Sequence, residues 1–504
     1  MLFNSIEFLA FLALVIALHR VCFSYGPIAQ KSLLVGASLL FYAWFRADYV
    51  LLVLGSILFN FALGQEISRR ARRHLPNGVL LAGGIAANLA LLAYYKYAAF
   101  SVGSIAALLN LNLSVPEILL PIAISFFTFQ QIAFLVDASK GEVSSFQLLD
   151  YMLFVTFFPQ LIAGPIVHHK EMMPQFARPI PRARHLTDLT AGLTIFAMGL
   201  FKKVAIADNL APYADVVFGA AEGGTSPGLL AAWSGALCYT LQLYFDFSGY
   251  SDMAVGLARV FGIRLPANFF SPYKAASIID FWRRWHITLS RFLRDYLYIP
   301  LGGGRRGSLR RYVNLMITML LGGLWHGAGW TFVAWGALHG IYLITNHTWR
   351  AFCARLNWNC RPSRAARLAG TAITFLAVVI AWVPFRAETF EGAWLILESM
   401  AGQSSTEGII TTALRPVRIH EVLMLLTSLI AVWSLPNTIE IMAASRPVID
   451  PSGIVAGNQG VPKYGRKWRW RPNLAWGSAL ALTNGLTLFF FFENEDSPFL
   501  YFQF

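Results

Sequence analysis

Histidine is the residue type with the clearest potential for chemistry in this sequence. His326 stands in the segment Gly322-Gly323-Leu324-Trp325-His326-Gly327-Ala328-Gly329-Trp330, and no Asp, Glu, Lys or Arg occurs between Tyr312 and His347. An ionisable side chain inside an apolar span is a functional hypothesis by default, and an imidazole can take a proton from a hydroxyl group. A structural histidine with a satisfied hydrogen bond is the alternative, and spacing alone leaves both open.

A second histidine follows a basic, aromatic segment, Asp280-Phe281-Trp282-Arg283-Arg284-Trp285-His286. By itself this pattern favours an interfacial histidine among arginines whose aliphatic stems cover apolar surface. Arginines can also hold the phosphates of a donor molecule, and further arginines follow at 291, 305 and 306. Two histidines and these cations fit acyl transfer from a thioester to a hydroxyl without a covalent nucleophile.

Several familiar signatures are incomplete. The segment 249–253, GYSDM, lacks the last glycine of a nucleophile elbow. The segment 302–307, GGGRRG, satisfies GxGxxG, but no strand precedes it and no βαβ unit surrounds it. His168 and His169 have only Glu171 nearby, which completes neither HExxH nor a cysteine cluster. We therefore expect no dinucleotide fold and no metal.

The elements that carry these residues are membrane spans. The chain has 504 residues, of which 56% are hydrophobic and 13% charged, whereas soluble domains carry about 25% charged residues. Spans of about 20 apolar residues recur throughout. We predict eleven or twelve, near 5–23, 32–46, 49–64, 79–108, 117–136, 150–167, 189–206, 228–246, 312–346, 366–385, 420–435 and 473–492.

Three places modify this pattern. Two prolines and a glycine in 157–165 predict a kinked or broken helix. The arginines of 277–311 are too costly to bury against lipid, so this segment is predicted to form interfacial or re-entrant helices rather than a span. Asp246 and Asp252 close an apolar run, where the simplest interpretation is a helix end with capping residues.

Charge indicates the orientation. The net charge of +14 comes from short basic runs between spans, as in cytoplasmic loops, so we expect membrane lipid and no nucleic acid as a partner. The first strong run, 69–73, follows three predicted spans. Counting back through these spans places the N-terminus outside. The four cysteines show no CxxC or disulfide pattern and are interpreted as reduced.

At these residues the chain resembles the membrane-bound O-acyltransferase (MBOAT) family, over nearly its whole length. The resemblance lies in FFPQLIAGPIVHHKEMMPQF (157–176), the segment 242–307, LLGGLWHGAGWTFVAWGALHG (320–340) and SPFLYFQF (497–504). It implies one all-α polytopic domain, a ring of helices around a central tunnel with re-entrant or interfacial helices on the cytoplasmic side. We divide residues 1–504 into N-terminal helices (1–145), a catalytic core (146–347) and C-terminal helices (348–504).

The resemblance also assigns roles. In the family, a histidine in a WHG context is catalytic and an upstream histidine in a WRRWH context lies in the same tunnel. These correspond to His326 and His286. For substrate or donor binding we name Asp280, Trp285, Arg291, Arg305, Arg306 and Trp325.

The resemblance implies O-acetylation of an exported polysaccharide such as alginate, by a multi-pass protein of the bacterial inner membrane with a periplasmic N-terminus. We expect no bound cofactor, acetyl-CoA or another acyl thioester as the donor, and periplasmic acetyltransferase subunits and the polysaccharide as partners. Alternatives are D-alanyl or other acyl transfer to teichoic acid, peptidoglycan or cellulose, or a transporter or flippase in which His326 is a gate.

Overall fold

The computed structural model describes residues 1–143, 146–162, 164–176, 185–357, 363–403, 419–450, 468–493 and 499–500. Within these ranges every regular element is helical, apart from an isolated bridge between Pro266 and Ile449. The prediction of an all-α fold is therefore confirmed for the described residues. The C-terminal segment 497–504, one of those in which the family resemblance lies, is largely outside the described residues.

The helices follow one another with short connections. In chain order they are α1 (Ile6–Cys22), α2 (Pro27–Arg46), α3 (Val50–Arg72), α4 (Gly78–Leu92), α5 (Ala98–Leu109), α6 (Ile124–Ser139), α7 (Leu148–Thr156), α8 (Phe158–Leu161), α9 (His169–Phe176), α10 (His185–Phe201), α11 (Asp208–Glu222), α12 (Leu229–Val260), α13 (Ile278–Arg284), α14 (Ile287–Leu293), α15 (Gly307–His326), α16 (Trp330–Arg355), α17 (Arg364–Arg386), α18 (Phe390–Met400), α19 (Ile419–Ser434), α20 (Thr438–Ile441) and α21 (Leu474–Glu493). Wider π-helical turns occupy Ala93–Tyr97, Lys202–Ala207 and Arg294–Tyr298.

The chain forms two compact units. The first comprises Met1–Ala197, Tyr250–Pro266 and Ser445–Pro451, and the second Met198–Gly249, Ala267–Ala444 and Ser452–Phe504. The first has an aromatic core in which the rings of Phe3, Phe8 and Phe41 contact one another and Phe158 contacts Phe8 and Phe41. In the second, the indoles of Trp335 and Trp382 are almost fully buried. The division predicted at 145 and 347 stays a prediction.

Six helical stretches of the described residues are long and apolar enough to cross a membrane. They are Ile6–Tyr25, Pro27–Arg72, Gly78–Leu109, Leu186–Glu222, Arg364–Arg386 and Leu474–Phe492. The second has 46 residues and comprises α2 and α3, which are separated by a short 3-10 turn at Ala47–Tyr49 where the backbone of Arg46 is extended, with φ −156° and ψ 94°. It contains the spans predicted near 32–46 and 49–64.

The break predicted at 157–165 is confirmed. α7 ends at Thr156, and α8 has only four residues. After α8 the backbone of Gly164 packs against that of Gln160, so that a Cβ atom added to Gly164 would lie 2.4 Å from the Cα of Gln160. His168, beyond the break, lies 2.8 Å from Asp137, before α7. Both ends of the segment therefore lie at the same depth, so the crossing predicted near 150–167 is wrong and the segment is re-entrant.

The span predicted near 312–346 is also corrected. α15 ends at His326 and α16 begins at Trp330, so one predicted helix is a hairpin of two. Gly327 and Gly329 are extended between them. A Cβ on Gly323 would lie 2.2 Å from the carbonyl oxygen of Phe332, so small residues let the two backbones approach closely.

A third correction concerns Asp246 and Asp252, which lie inside α12 rather than at its end. The Asp246 carboxylate is 1% exposed and lies 2.7 Å from the ammonium group of Lys203, which also lies 2.7 Å from Asp208. Burial of a carboxylate is tolerated when a cation pairs with it. The apolar run therefore continues as helix to Val260.

Candidate active site

Two short helices and the α15–α16 hairpin bring the predicted histidines together. His326 is the last residue of α15 and 4% exposed, and His286 immediately precedes α14 and is fully buried. Their ring centroids lie 6.2 Å apart. As predicted, the segment 277–311 is not a span, because α13 and α14 have seven residues each.

His286 has an unusual backbone. Its φ of 42° and ψ of 53° place it in the left-handed region, which side-chain-bearing residues rarely adopt. The amide of Ile287 donates a hydrogen bond to the carbonyl of Asn268 at 2.9 Å, which holds this turn. Such strain commonly accompanies functional sites.

The Asn268 side chain determines which ring nitrogen of His286 carries the proton. Its Oδ1 atom accepts a hydrogen bond from the Thr288 hydroxyl at 2.8 Å and lies 3.1 Å from Nδ1 of His286. Because an amide oxygen only accepts, Nδ1 carries the proton and Nε2 carries a lone pair. Burial lowers the pKa of His286 to about 3, so its imidazole is neutral at physiological pH.

Aromatic rings surround His326. The rings of Trp325 and Trp335 lie 5.1 Å from it and that of Phe385 lies 5.3 Å from it, all edge to face. The Trp325 ring also lies 6.1 Å from His286. These rings keep the imidazole pair in a water-poor environment, where electrostatic interactions are strong.

A third histidine joins the cluster. His339 of α16 is fully buried, its ring lies 4.8 Å from Trp335, and its Nδ1 accepts a hydrogen bond from Nε1 of Trp282 at 3.2 Å. The proton of His339 is therefore on Nε2. His339 lies in the same uncharged run as His326, but its contact with Trp282 could not be predicted from the sequence.

Some buried polar atoms of this cluster have no hydrogen-bond partner among the described residues. Among them are Nε2 of His286, Nε2 of His339 and Nε1 of Trp335. Native proteins leave few such atoms unsatisfied. These three atoms offer one acceptor and two donors to a bound molecule, a set that suits proton transfer and stabilisation of a developing oxyanion.

Comparison with known proteins gives this chemistry a family. The sequence profile of the membrane-bound O-acyltransferase family (MBOAT) matches residues 114–383, which include all three histidines. The chain belongs to this family. It is a multi-pass membrane O-acyltransferase.

Individual relatives of the acyltransferase differ in the acceptor that their names state. The chain is 45% identical over 402 residues to the peptidoglycan O-acetyltransferase of Helicobacter pylori, covering 75% of each chain. It is 39% identical over 520 residues to the probable alginate O-acetylase of Azotobacter vinelandii, covering 100% of each. It is 43% identical over 406 residues to that of Pseudomonas aeruginosa, covering 79% of this chain and 75% of the relative.

The other residues predicted for the acyltransferase site lie at different places. The Trp285 ring lies 5.0 Å from Trp382, which stacks on Trp335 at 5.7 Å, so Trp285 joins the aromatic wall. Asp280 Oδ1 lies 2.9 Å from Nε of Arg284, one turn along α13. Arg291 is half-buried on α14.

The remaining predicted cations, Arg305 and Arg306, lie in the loop before α15, whose backbone is held by hydrogen bonds. Arg305 and Arg306 are exposed, and within the described ranges no ring or ion-pair contact joins them to the histidines. Gly302 and Gly303 have φ values of 108° and 56°, which favour glycine. Nδ2 of Asn314 donates hydrogen bonds to the carbonyls of Leu301 and Gly303 at 3.2 and 3.0 Å. This loop therefore presents two exposed cations from a fixed backbone.

Proposed function

We propose that this acyltransferase transfers an acetyl group from cytoplasmic acetyl-CoA for O-acetylation of an exported polysaccharide such as alginate, with His326 and His286 at the reaction centre. The observation that carries the proposal is the pair of buried imidazoles with ring centroids 6.2 Å apart in an aromatic enclosure. One of them, His286, presents an unpartnered Nε2 atom.

In the proposed reaction His326 acts as the general base. It accepts the proton of the acceptor hydroxyl as that oxygen attacks the thioester carbonyl. The new ester C–O bond forms, the C–S bond breaks, and the thiolate of the donor leaves and takes up the proton. His286 stays neutral and positions the reacting groups through Nε2. His339 and Trp335 have N–H groups for the oxygen that becomes negative.

Alginate is the first candidate for the acceptor because the similarity to the Azotobacter vinelandii relative covers both chains completely. Peptidoglycan is the second candidate, and the 45% identity to the Helicobacter pylori enzyme favours it. In both cases we propose an inner-membrane location with a periplasmic N-terminus, and a periplasmic partner that passes the acetyl group to the polymer.

The donor is proposed to approach from the cytoplasm beside the loop of Arg305 and Arg306. Acetyl-CoA is made in the cytoplasm and carries phosphates that guanidinium groups bind well. Both side chains are exposed, and the backbone of their loop is held by Asn314. Arg291 of α14 is a further cation of the same segment.

The test uses purified protein and acetyl-CoA labelled in the acetyl group, with membranes that contain the native partner proteins. Polymannuronate and peptidoglycan fragments are supplied separately. We expect His326→Ala to lower label transfer by about 10²–10⁴-fold. The control is His347→Gln, which changes a half-exposed histidine of α16 and should leave label transfer unchanged. The glycan that takes up label identifies the acceptor. Near-normal transfer by folded His326→Ala protein would exclude His326 as the base.

A further inference from the structure

A second group of titratable side chains lies in the first unit, unconnected with the reaction proposed above. Asp137 stands near the end of α6, and His168 and His169 lie at the start of α9. One ligand atom from each residue lies within 4.8 Å of the others. Asp137 Oδ2 is 2.8 Å from Nε2 of His168 and 3.4 Å from Nδ1 of His169.

His169 is the member that needs an explanation. Its side chain is 94% buried, and neither ring nitrogen has a hydrogen-bond partner. One ring contact is edge to face with Phe134 at 5.6 Å, which fixes the plane of the imidazole but satisfies neither nitrogen. Buried polar atoms without partners are rare in native proteins, and a bound ion or water is one explanation for them.

The two histidines approach one oxygen of the Asp137 carboxylate, and a lysine approaches the other. The ammonium group of Lys140 lies 4.0 Å from Oδ1, whereas both imidazoles approach Oδ2. The backbone amide of His168 donates to the Glu171 carboxylate at 3.3 Å, which holds the start of α9. His168 is 20% exposed, so an ion has a route from solvent.

We propose that Asp137, His168 and His169 bind one divalent first-row transition-metal ion of the Zn²⁺ class. Two imidazole nitrogens and one carboxylate oxygen are a usual donor set for such ions, at about 2.0–2.2 Å from the metal. Water takes the remaining position. Binding requires the lone pair of Nε2 on His168, so the proton of this ring moves to Nδ1.

The ion would join two segments that are distant in the sequence. α6 supplies the carboxylate and the start of α9 supplies both nitrogens, with the re-entrant segment α7–α8 between them. In the sequence, no third ligand stands at metal spacing from the histidine pair. Asp137 becomes a candidate ligand only in the structure, where the chain folds back after α7 and α8 and brings the start of α9 to the end of α6. The site is structural, and acyl transfer takes no step through it.

The test is a titration of the full-length protein in detergent, carrying an affinity tag without histidines and freed of metal by a chelator. Co²⁺ is the probe, because tetrahedral or five-coordinate Co²⁺ absorbs visible light. We expect one equivalent to bind with these absorption bands, and Zn²⁺ to displace it and raise the midpoint of thermal unfolding by several degrees.

Three variants decide whether the binding belongs to this cluster. His168→Gln and Asp137→Asn should lose the bands and the Zn²⁺-dependent shift of the midpoint. The control is His74→Asn, because His74 is exposed with a φ of 54° that asparagine accepts. If Asp137→Asn does not fold, His168→Gln, at a partly exposed position, decides alone. No uptake of Co²⁺ by the unaltered protein, or equal uptake by His168→Gln, would overturn the proposal and leave an ordinary hydrogen-bonded cluster.

Discussion

Gly336 of α16 packs directly against the backbone of Met319 in α15, so that a Cβ atom added to Gly336 would lie 2.4 Å from the Met319 carbonyl oxygen. This contact lies within the hairpin in which α15 ends at His326 and α16 begins at Trp330. It involves backbone on one side, which cannot rotate away as a flexible side chain can.

Gly336→Ala should therefore destabilise the protein, by about 1–3 kcal/mol if the helices separate to admit the methyl group. The control is Gly36→Ala in the middle of α2, where nothing lies within 4 Å of the added Cβ. That change should be neutral or stabilising by up to about 1 kcal/mol, because alanine favours helix. Thermal unfolding in detergent measures both. Equal midpoints for the two variants would contradict the close packing of the hairpin.

The sequence predicted those helices whose ends are marked by charge. α17 runs from Arg364 to Arg386 against a predicted 366–385, and α21 runs from Leu474 to Glu493 against 473–492. Hydropathy locates such ends because charged side chains avoid the hydrocarbon core. The hairpin break after His326 has no such mark, because the whole run is uncharged and glycine is common in membrane helices.

The parts of the site that could not be predicted depend on contacts between distant residues. The resemblance predicted that His326 and His286 lie near each other, and their rings do. Nothing in the local sequence indicates that Asn268 orients His286, or that Trp282 orients His339. Asp246 looked like a helix cap because its partner, Lys203, stands in an earlier helical segment.

Asn268 is proposed to be a positioning residue for His286. Replacing it with leucine removes the acceptor for Nδ1–H, so the proton can move to Nε2 and the free lone pair is lost. We expect kcat to fall about tenfold or more, as a loss of roughly 1.4 kcal/mol implies, with little change in the KM for the donor. Asn268→Asp keeps an acceptor oxygen and should retain more activity at neutral pH.

The same aspartate variant gives a signature in the pH profile. A carboxylate beside His286 raises the pKa of that imidazole from its value of about 3. Activity of Asn268→Asp should then decline toward acid pH earlier than activity of the unaltered enzyme. If both variants lose activity equally at every pH, Asn268 has only a structural role.

His286 should also make stability depend on pH. Its pKa is about 3 in the folded protein because of burial, against about 6.5 in the unfolded chain. The unfolded chain binds the extra proton between these values, so this stability is present above pH ~6.5 and is lost as pH falls toward 3, at up to about 1.4 kcal/mol per pH unit.

The matching variant is His286→Asn, since asparagine tolerates the left-handed backbone at this position. It should show a smaller decline of the unfolding midpoint between pH 7 and pH 5 than the unaltered protein. Thermal scans in detergent at several pH values measure this difference. Parallel declines would show that protonation of His286 does not limit folding.

Arg305→Ala/Arg306→Ala should raise the KM for acetyl-CoA and leave the unfolding midpoint nearly unchanged, because exposed charges contribute little to stability. Arg72→Ala, another exposed arginine, is the control. The alternative role for the pair is to anchor the loop to anionic headgroups. Steady-state kinetics in detergent without anionic lipid distinguish the two, and an unchanged donor KM there would exclude donor binding by this pair.

The final prediction concerns topology, and two contacts strengthen it. The hydroxyl of Ser68 donates to the carbonyl of Val143 at 3.3 Å, so the basic end of α3 and the end of α6 lie on the same side of the membrane. The hydroxyls of Thr348 and Tyr312 lie 3.3 Å apart, so the basic runs at either end of the α15–α16 hairpin also share a side. By the positive-inside rule we predict that this side is the cytoplasm for both.

Cysteines placed at Ser308 and at Ser114 test this assignment in a chain whose own cysteines are replaced by serine. Both positions are exposed, and serine and cysteine are nearly equal in size. Ser114 follows the predicted span near 79–108, which starts at the cytoplasmic face beyond the basic run of α3, so it should face the periplasm. An impermeant maleimide added to intact spheroplasts should label Ser114→Cys at once and Ser308→Cys only after permeabilisation. Labelling of Ser308→Cys from outside would reverse the orientation, and with it the proposed cytoplasmic approach of the donor to Arg305 and Arg306.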